Sequence, residues 1–459
     1  MSRASQLIAA PPSPSQPTRN NPVRVAAATL LGTSAEWYDY GIYAFAAAVI
    51  FPSVFFPDMP GPLGVFASFV TIAVGSLARP IGAAVFGHIG DRYGRRKSLV
   101  ASLLIMGIAT IVIGLLPGFA TLGYLAPVLL LLIRLLQSFA AGGEWGGAVL
   151  FAIEAAPKRW RALFGSFPQM GSGVGFFLAT GAFSLVALFG DDALLAWAWR
   201  LPFFASIALV AIGLIVRSQL DETEVFVKAE AAQSASERKQ LPLFNVLRSS
   251  WGVLLLAIGG FLITIGGFYI VTSFFSAYAA EQLHLSAGDI ANAGVVASII
   301  AIVTVPPAAI AADKWGVRTV TLIGLGLHVV GAYPIFMLLQ SGTVGGLYAA
   351  MSLGMAISVV AYAPISTLVA GWFSTPVRQT GISLGYQISG VIGGGLTLPL
   401  VQALQIRFDS VFPVMLFFAG MGLLSFMCVL LKRGPGHLSF GDRASAGATE
   451  ELEVVADVA

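Results

Sequence analysis

Long runs of apolar residues dominate the chain and limit the folds that it can adopt. A helix needs about 20 such residues to cross a membrane, and it satisfies its backbone hydrogen bonds within its own segment there. Twelve runs have roughly this length, so the sequence predicts an all-α membrane protein with twelve transmembrane helices. The runs cover 25–51, 66–88, 98–116, 124–150, 162–188, 198–217, 250–280, 289–312, 318–339, 344–370, 379–405 and 409–431.

The composition supports this fold class and excludes others. Of the 459 residues, 57% are hydrophobic and only 10% are charged, whereas a soluble domain has about 25% charged residues. The net charge of +3 is small, and we expect no nucleic-acid partner. Cys428 is the only cysteine, so no intramolecular disulfide can form.

The gaps between the apolar runs indicate the domain organisation. The longest gap, 218–249, is rich in charged residues and divides the runs into six plus six. We predict two six-helix bundles, 25–217 and 250–431, joined by this linker. The tails at 1–24 and 432–459 are polar, and we expect them to be cytoplasmic.

Basic residues indicate how the helices are oriented, because Lys and Arg accumulate in cytoplasmic loops. If the N-terminus is cytoplasmic, all but four of the 25 Lys and Arg residues lie in cytoplasmic turns, the linker and the tails. Both termini are therefore predicted to be cytoplasmic, in a multi-pass protein of the cytoplasmic membrane. The four exceptions are Arg79, Arg134, Arg200 and Arg407.

The two halves of the chain repeat a pattern. The segment Asp91–Arg96, with the pattern D-R-x-G-x-R, is echoed 222 residues later by D-K-x-G-x-R at Asp313–Arg318. Gln169 is echoed by Gln387 after 218 residues. Similar offsets at corresponding turns indicate duplicated six-helix bundles, an arrangement typical of transporters.

Five charged residues lie inside the predicted helices, and all of them belong to the first half: Glu36, Asp39, Arg79, Arg134 and Glu144. Each would cost about 2.5–3.5 kcal/mol or more if it faced lipid at the bilayer centre. We therefore expect these side chains to face the bundle interior or a hydrated cavity. Because the second half has no such residues, ion chemistry is predicted to belong to the N-terminal bundle.

Glu36 and Asp39 are three residues apart, so they share one face of the first helix. Two carboxylates in a cavity of low dielectric raise each other's proton affinity, while a nearby Arg lowers it. We predict that Asp39 accepts a proton and that Arg134 or Arg79 is its switching partner. The alternative is a permanent ion pair that stabilises the bundle. Glu144 fits a coupling role and a structural role equally well.

The predicted turn after the second helix has a more specific sequence, GHIGDRYGRRKSL at 87–99. It resembles the signature between the second and third helices of the major facilitator superfamily. Three longer segments, at 32–57, 78–99 and 134–171, resemble the metabolite:proton symporter family within that superfamily. Their most specific sequences are EWYDY, RP-G and GGEWGGA.

The resemblance implies proton-driven uptake of small organic solutes by alternating access between the two bundles. It also implies a conformational latch on the cytoplasmic side, and it links Arg134 and Gln137 to proton coupling through their R-x-x-Q spacing. In the second-half echo, Val317 replaces the basic residue that corresponds to Arg95. The predicted latch residues are Gly87, Asp91, Arg92, Gly94, Arg95, Arg96, Asp313 and Arg318.

The predicted substrate is a small carboxylate, because a guanidinium matches carboxylate geometry with two parallel hydrogen bonds. Arg79 and Arg134 are the candidate anchors. The other candidate binding residues are Tyr38, Tyr43, Gln137, Gln169, Tyr269, Tyr362 and Gln387. Tyr40, Ser358 and Ser366 are further candidates for the cavity wall, and each polar residue could instead form an interhelical hydrogen bond. We assign no role to His328.

The sequence thus predicts a proton symporter for a small organic acid, working as a monomer without a cofactor. Its expected partners are the carboxylate substrate, protons and membrane lipid. A zwitterionic compatible solute such as proline or betaine is the alternative substrate, and a transporter-like sensor is the second functional class. We expect no enzyme, since no H-E-x-x-H sequence occurs and the four His residues are scattered.

Overall fold

The computed structural model describes residues 22–59, 61–93, 95–143, 149–150, 152–153, 156–218, 248, 250–374 and 377–432. Twelve long helices occupy this part of the chain, as the apolar runs predict. They are α1 (Pro22–Val49), α2 (Gly61–Tyr93), α3 (Arg95–Leu115), α4 (Leu125–Ala140), α5 (Arg161–Ala187), α6 (Leu201–Ser218), α7 (Trp251–Glu281), α8 (Ala287–Trp315), α9 (Val317–Gln340), α10 (Val344–Ala370), α11 (Arg378–Phe408) and α12 (Phe412–Leu431). Nearly all of the predicted linker and both tails lie outside the described residues.

Two predicted boundaries differ from the structure. Helix α2 extends to Tyr93 and α3 begins at Arg95, so most of the predicted polar turn at 87–99 is helical. The apolar run at 124–150 is not one α-helix, because α4 ends at Ala140 and a 3₁₀ turn follows at Ala141–Gly143. A Cβ atom on Gly142 would collide with the backbone of α2, so close helix packing accounts for this glycine.

Two helices contain π-helical segments, and each segment contacts a helix of the other bundle. One lies in α7 at Ile270–Phe274, and the other lies in α11 at Gly390–Leu396. A π segment shifts the side chains that follow it and is frequent at functional sites. The segment in α11 contains three consecutive glycines, Gly393–Gly395, which let α7 and α2 approach its backbone closely.

The two bundles meet along two helix pairs. Helix α5 of the first bundle packs against α8 of the second, and α2 packs against α11. Large apolar side chains on the outer faces are exposed, as in Val330 and Leu188, which suits contact with lipid hydrocarbon. The polar groups are concentrated between and inside the bundles instead.

Hydrogen bonds join the two bundles at both ends of their interface. On the outer side, Gln402 Nε2 donates to the carbonyl of Pro62 over 3.3 Å, and Ser184 donates to Asn292 over 2.5 Å. On the cytoplasmic side, Gln387 Nε2 donates to the carbonyl of Gly142 over 2.6 Å.

Candidate functional site

Helix α1 supplies the centre of the charged cluster, which consists of Glu36, Asp39, Arg79 and Arg134. Glu36, Asp39, Tyr40 and Tyr43 are spaced by three or four residues, which places them on one face of the helix. All four are buried. Both guanidiniums of the cluster lie over the Tyr40 ring, with the Arg79 Cζ 4.2 Å and the Arg134 Cζ 5.4 Å from its centroid.

Arg79, on α2, is the guanidinium closer to the interface between the bundles. Its Nε donates to the Tyr40 hydroxyl over 2.8 Å, and its Nη2 lies 3.9 Å from Glu36 Oε1. Its Nη1 points to α11, because a Cβ on Gly390 would lie 3.5 Å from that atom. The side chains of Arg79 and Glu36 are 13% and 11% exposed, so both reach the edge of the interior.

Arg134, on α4, is held inside the first bundle. Its guanidinium stacks on the Tyr43 ring, with the Cζ 3.9 Å from the centroid, an attractive cation–π geometry. The Tyr43 hydroxyl lies 2.6 Å from Thr71 Oγ1, which itself donates to the carbonyl of Ser68. Tyr43 must therefore be the donor to Thr71, and its hydroxyl proton is engaged within the bundle.

A chain of hydrogen bonds connects Arg134 to Asp39. Arg134 Nη1 donates to Gln137 Oε1 over 2.5 Å, and this fixes the amide because a guanidinium cannot accept. Gln137 Nε2 then donates to Thr110 Oγ1 over 2.7 Å, and Thr110 lies 3.1 Å from Asp39 Oδ2. Within the described residues, Asp39 forms no ion pair within 4.0 Å.

The Thr110 hydroxyl has a choice of acceptors. Its oxygen lies 3.1 Å from Asp39 Oδ2 and 2.9 Å from the carbonyl of Met106. A hydroxyl carries one proton and two acceptor lone pairs, so Thr110 can donate to an ionised Asp39, or donate to Met106 and accept from a protonated Asp39. Both protonation states of Asp39 therefore have a hydrogen-bonding partner at the same position.

A cavity lies between the bundles beside this cluster. It is small and is lined by residues of α5, α7, α8 and α10. Among the predicted binding residues, Gln169 and Tyr362 line it, as does Ser358. Gln169 Nε2 donates to Ser366 of the opposite bundle over 2.5 Å, and its Oε1 has no hydrogen-bond partner among the described residues.

Other predicted binding residues have different surroundings. Tyr38 donates its hydroxyl proton to the carbonyl of Pro202 on α6 over 2.7 Å, so this hydroxyl connects two helices of one bundle. Gln387 contacts Gly142 across the cytoplasmic side of the interface. Tyr269 is buried beside the α11 π segment, where its ring faces Gly394.

The predicted latch is described only in its second half. Asp313 accepts hydrogen bonds from the backbone N–H groups of Ala162 and Leu163, over 2.8 and 2.9 Å. This carboxylate of α8 thus caps the start of α5 in the other bundle, where the helix dipole favours negative charge. Arg318 donates to the carbonyl of Leu430 over 2.8 Å, so it binds within its own bundle.

The remaining latch residues lie outside the described side chains: Gly87, Asp91, Arg92, Gly94, Arg95 and Arg96. Glu144 also lies outside the described residues. The roles predicted for them stay predictions.

Sequence reasoning missed Thr110 and His328. A threonine in an apolar helix ordinarily bonds its own backbone, and Thr110 gives no signal of its contact with Asp39. His328 carried a weak signal as a polar residue inside α9. Tyr386 was missed too, and its hydroxyl lies 3.3 Å from the Tyr362 hydroxyl.

Comparisons with known proteins define the class of this fold and site. The model of the family "Sugar (and other) transporter" matches residues 25–241, and that of the Major Facilitator Superfamily matches residues 256–451. The structure of a D-xylose-proton symporter is similar, with a TM-score of 0.69, 18% identity and coverage of 90% of this chain and 98% of that one. At this identity the likeness establishes the fold.

Relatives in sequence cover most of the chain. An inner membrane metabolite transport protein of Escherichia coli is 40% identical over 92% of this chain and 96% of its own length. The shikimate transporter of E. coli is 35% identical, with coverage of 88% and 92%. Its proline/betaine transporter is 33% identical, with coverage of 80% and 75%.

The chain therefore belongs to the major facilitator superfamily, and its relatives place it with the metabolite transport proteins of that superfamily. It is a multi-pass membrane transporter and not an enzyme. The resemblance noted in the sequence is confirmed.

Proposed function

We propose that the protein is a proton-coupled symporter that imports a small carboxylate-bearing metabolite across the cytoplasmic membrane. The observation that carries this proposal is the hydrogen-bonded chain from Arg134 through Gln137 and Thr110 to Asp39. It connects a carboxylate that can take up a proton with a fixed positive charge inside the same bundle.

In this proposal Asp39 is the proton acceptor. When Asp39 is ionised, Thr110 donates to it. When Asp39 is protonated, it donates to Thr110, and Thr110 turns its own proton to Met106. The change removes a negative charge from the neighbourhood of Arg134. Since an uncompensated buried charge is costly, protonation shifts the balance between bundle conformations.

Arg79 is the proposed carboxylate anchor. It lies at the interface between the bundles, with one guanidinium nitrogen directed toward α11, whereas Arg134 is occupied by Gln137 and Tyr43. Its contact with Glu36, at 3.9 Å, is longer than a charge-assisted hydrogen bond of about 2.8 Å. A substrate carboxylate can therefore compete for the guanidinium.

The solutes for which two of the relatives are named support a carboxylate substrate. Shikimate, proline and betaine, the solutes in two of those names, each carry one carboxylate. Proline and betaine also carry a positive charge, and the Glu36 carboxylate beside Arg79 can attract that charge. A zwitterion is therefore the second candidate substrate.

Reconstitution into proteoliposomes tests the proposal. Addition of shikimate, proline, malate or succinate should alkalinise a weakly buffered medium when the compound is carried with protons. An imposed inward proton gradient should drive its accumulation. Transport of a compound without any alkalinisation would contradict proton coupling, and failure of every carboxylate to exchange in counterflow would contradict the substrate class.

A further inference from the structure

His328 is a fully buried histidine that the charged cluster does not use. It lies on α9, behind α10 as seen from the cavity, and contacts both its own backbone and a cavity residue. Its Nδ1 lies 2.8 Å from the carbonyl of Gly324, and its Nε2 lies 3.3 Å from Ser358 Oγ. The ring also packs beside Phe418, at a centroid distance of 5.7 Å.

These two contacts determine where the protons are. A carbonyl only accepts, so Nδ1 must carry a hydrogen. Both nitrogens would carry one in an imidazolium, but that charge would be buried with no acidic partner among its described contacts, which is costly. In the neutral ring Nε2 accepts, and Ser358 donates to it. The Ser358 oxygen can then accept hydrogen bonds from a molecule in the cavity.

Two other hydroxyls of the cavity donate to backbone carbonyls. Ser172 donates its proton to the carbonyl of Gln169 over 2.6 Å, and Thr264 donates to that of Phe261 over 2.8 Å. The Gln169 amide donates to Ser366, and its Oε1 has no hydrogen-bond partner among the described residues. These three residues offer oxygen acceptors to an occupant, whereas the Tyr362 hydroxyl lies 3.3 Å from that of Tyr386, where either can donate.

We propose that His328 is a positioning residue for substrate selection: it holds Ser358 as a hydrogen-bond acceptor, so the transported carboxylate carries a hydroxyl or N–H donor as well. This inference rests on the proposed function and narrows its substrate class. A carboxylate without such donors would leave these buried acceptors unpaired, which sites built for hydrogen bonding reject strongly. A quaternary ammonium compound has no donor either.

Matched pairs of compounds test the inference with the full-length protein in proteoliposomes. The pairs are shikimate and cyclohex-1-ene-1-carboxylate, proline and N,N-dimethylproline, and malate and succinate. Within a pair, the members differ in donors and keep the carboxylate. The measurement is competition against counterflow. For each pair that the protein recognises, we expect the donor-bearing member to bind at least about tenfold more tightly.

Substitutions connect this discrimination to His328. Ser358→Ala and His328→Leu should reduce the discrimination ratio several-fold, raising KM for the donor-bearing member while the maximal rate is kept. His328→Gln, whose Oε1 can accept from Ser358, should restore much of the ratio. Thr321→Val is the matched control, because Thr321 is buried on the same helix and its hydroxyl donates to the carbonyl of Val317.

Three outcomes would overturn the inference. Equal recognition of both members of a pair would contradict it and leave the carboxylate symporter standing. A wild-type discrimination ratio in His328→Leu, with Thr321→Val also like wild type, would likewise contradict the inference and leave the carboxylate symporter standing. Failure of all six compounds to compete would contradict the proposed function and this inference together.

Discussion

The two bundles contribute different chemistry to the same interface. The N-terminal bundle holds buried charges, with Asp39 and Arg134 joined through neutral side chains. The C-terminal bundle has no Asp, Glu, Lys or Arg away from its helix ends, and it contributes hydroxyls fixed by hydrogen bonds, such as Ser358. Under the proposed function, the proton chemistry belongs to one copy of the duplicated fold, whereas both copies line the cavity between them.

The largest expected effect concerns the carboxylate anchor. Arg79→Lys keeps the positive charge but removes the planar pair of donors, so we expect transport to fall about 100-fold. Uptake kinetics at several substrate concentrations would measure it. Arg200→Gln is the control, because Arg200 lies at the outer end of the first bundle and contacts the backbone there. Transport by Arg79→Lys within twofold of wild type would contradict the assignment.

The next effect separates coupling from transport. Thr110→Val removes the hydroxyl between Gln137 and Asp39, and we expect proton-driven accumulation to fall about tenfold while counterflow is kept. Thr29→Val is the matched control, since Thr29 is buried on α1 and its hydroxyl donates to the carbonyl of Ala26. Equal loss of both activities would show that Thr110 is structural.

A smaller effect concerns the cytoplasmic closure. Asp313→Asn removes the charge that accepts from Ala162 and Leu163. A hydrogen bond to a charged group contributes about 1.5–3 kcal/mol, so hydrogen exchange at these amides should become about tenfold faster or more. Asp289→Asn, at the outer end of the same helix, should leave their exchange unchanged. Unaltered exchange in Asp313→Asn would show that this contact does not hold the closed state.

The smallest effect sharpens the difference between substrate contacts and structural contacts. Tyr38→Phe removes a hydrogen bond to Pro202 within the first bundle. We expect KM to change less than about twofold and stability to fall by about 1 kcal/mol. Thermal unfolding in detergent measures the stability, and the lipid-exposed Tyr333→Phe serves as control. A large rise in KM would contradict this structural role and show that Tyr38 contacts the substrate.

Much of this molecule could be predicted from its sequence. The twelve helices follow from hydropathy, and the inward location of the charged side chains follows from the cost of charges in lipid. The burial of Glu36, Asp39 and Arg134 agrees with that expectation. Such patterns are local properties of each segment, so a single sequence contains them.

The contacts of Thr110, His328 and Tyr38 could not be predicted. Thr110 reaches Asp39 from another helix, and which face of α3 meets α1 depends on packing between helices rather than on spacing along one of them. The same is true of His328, whose role depends on the proximity of Ser358 on α10. Tyr38 carried the same sequence signal as Tyr43, yet its hydroxyl faces α6.

The most direct test of the central claim is the proton flux of Asp39→Asn in proteoliposomes, measured alongside counterflow of the same substrate. Asparagine keeps the size of the side chain but cannot take up a proton at the pH of the assay. We expect counterflow to persist while substrate addition no longer alkalinises the medium. The control Asp58→Asn, at an exposed outer position, should behave as wild type. Proton uptake by Asp39→Asn at the wild-type ratio to substrate would contradict the central claim.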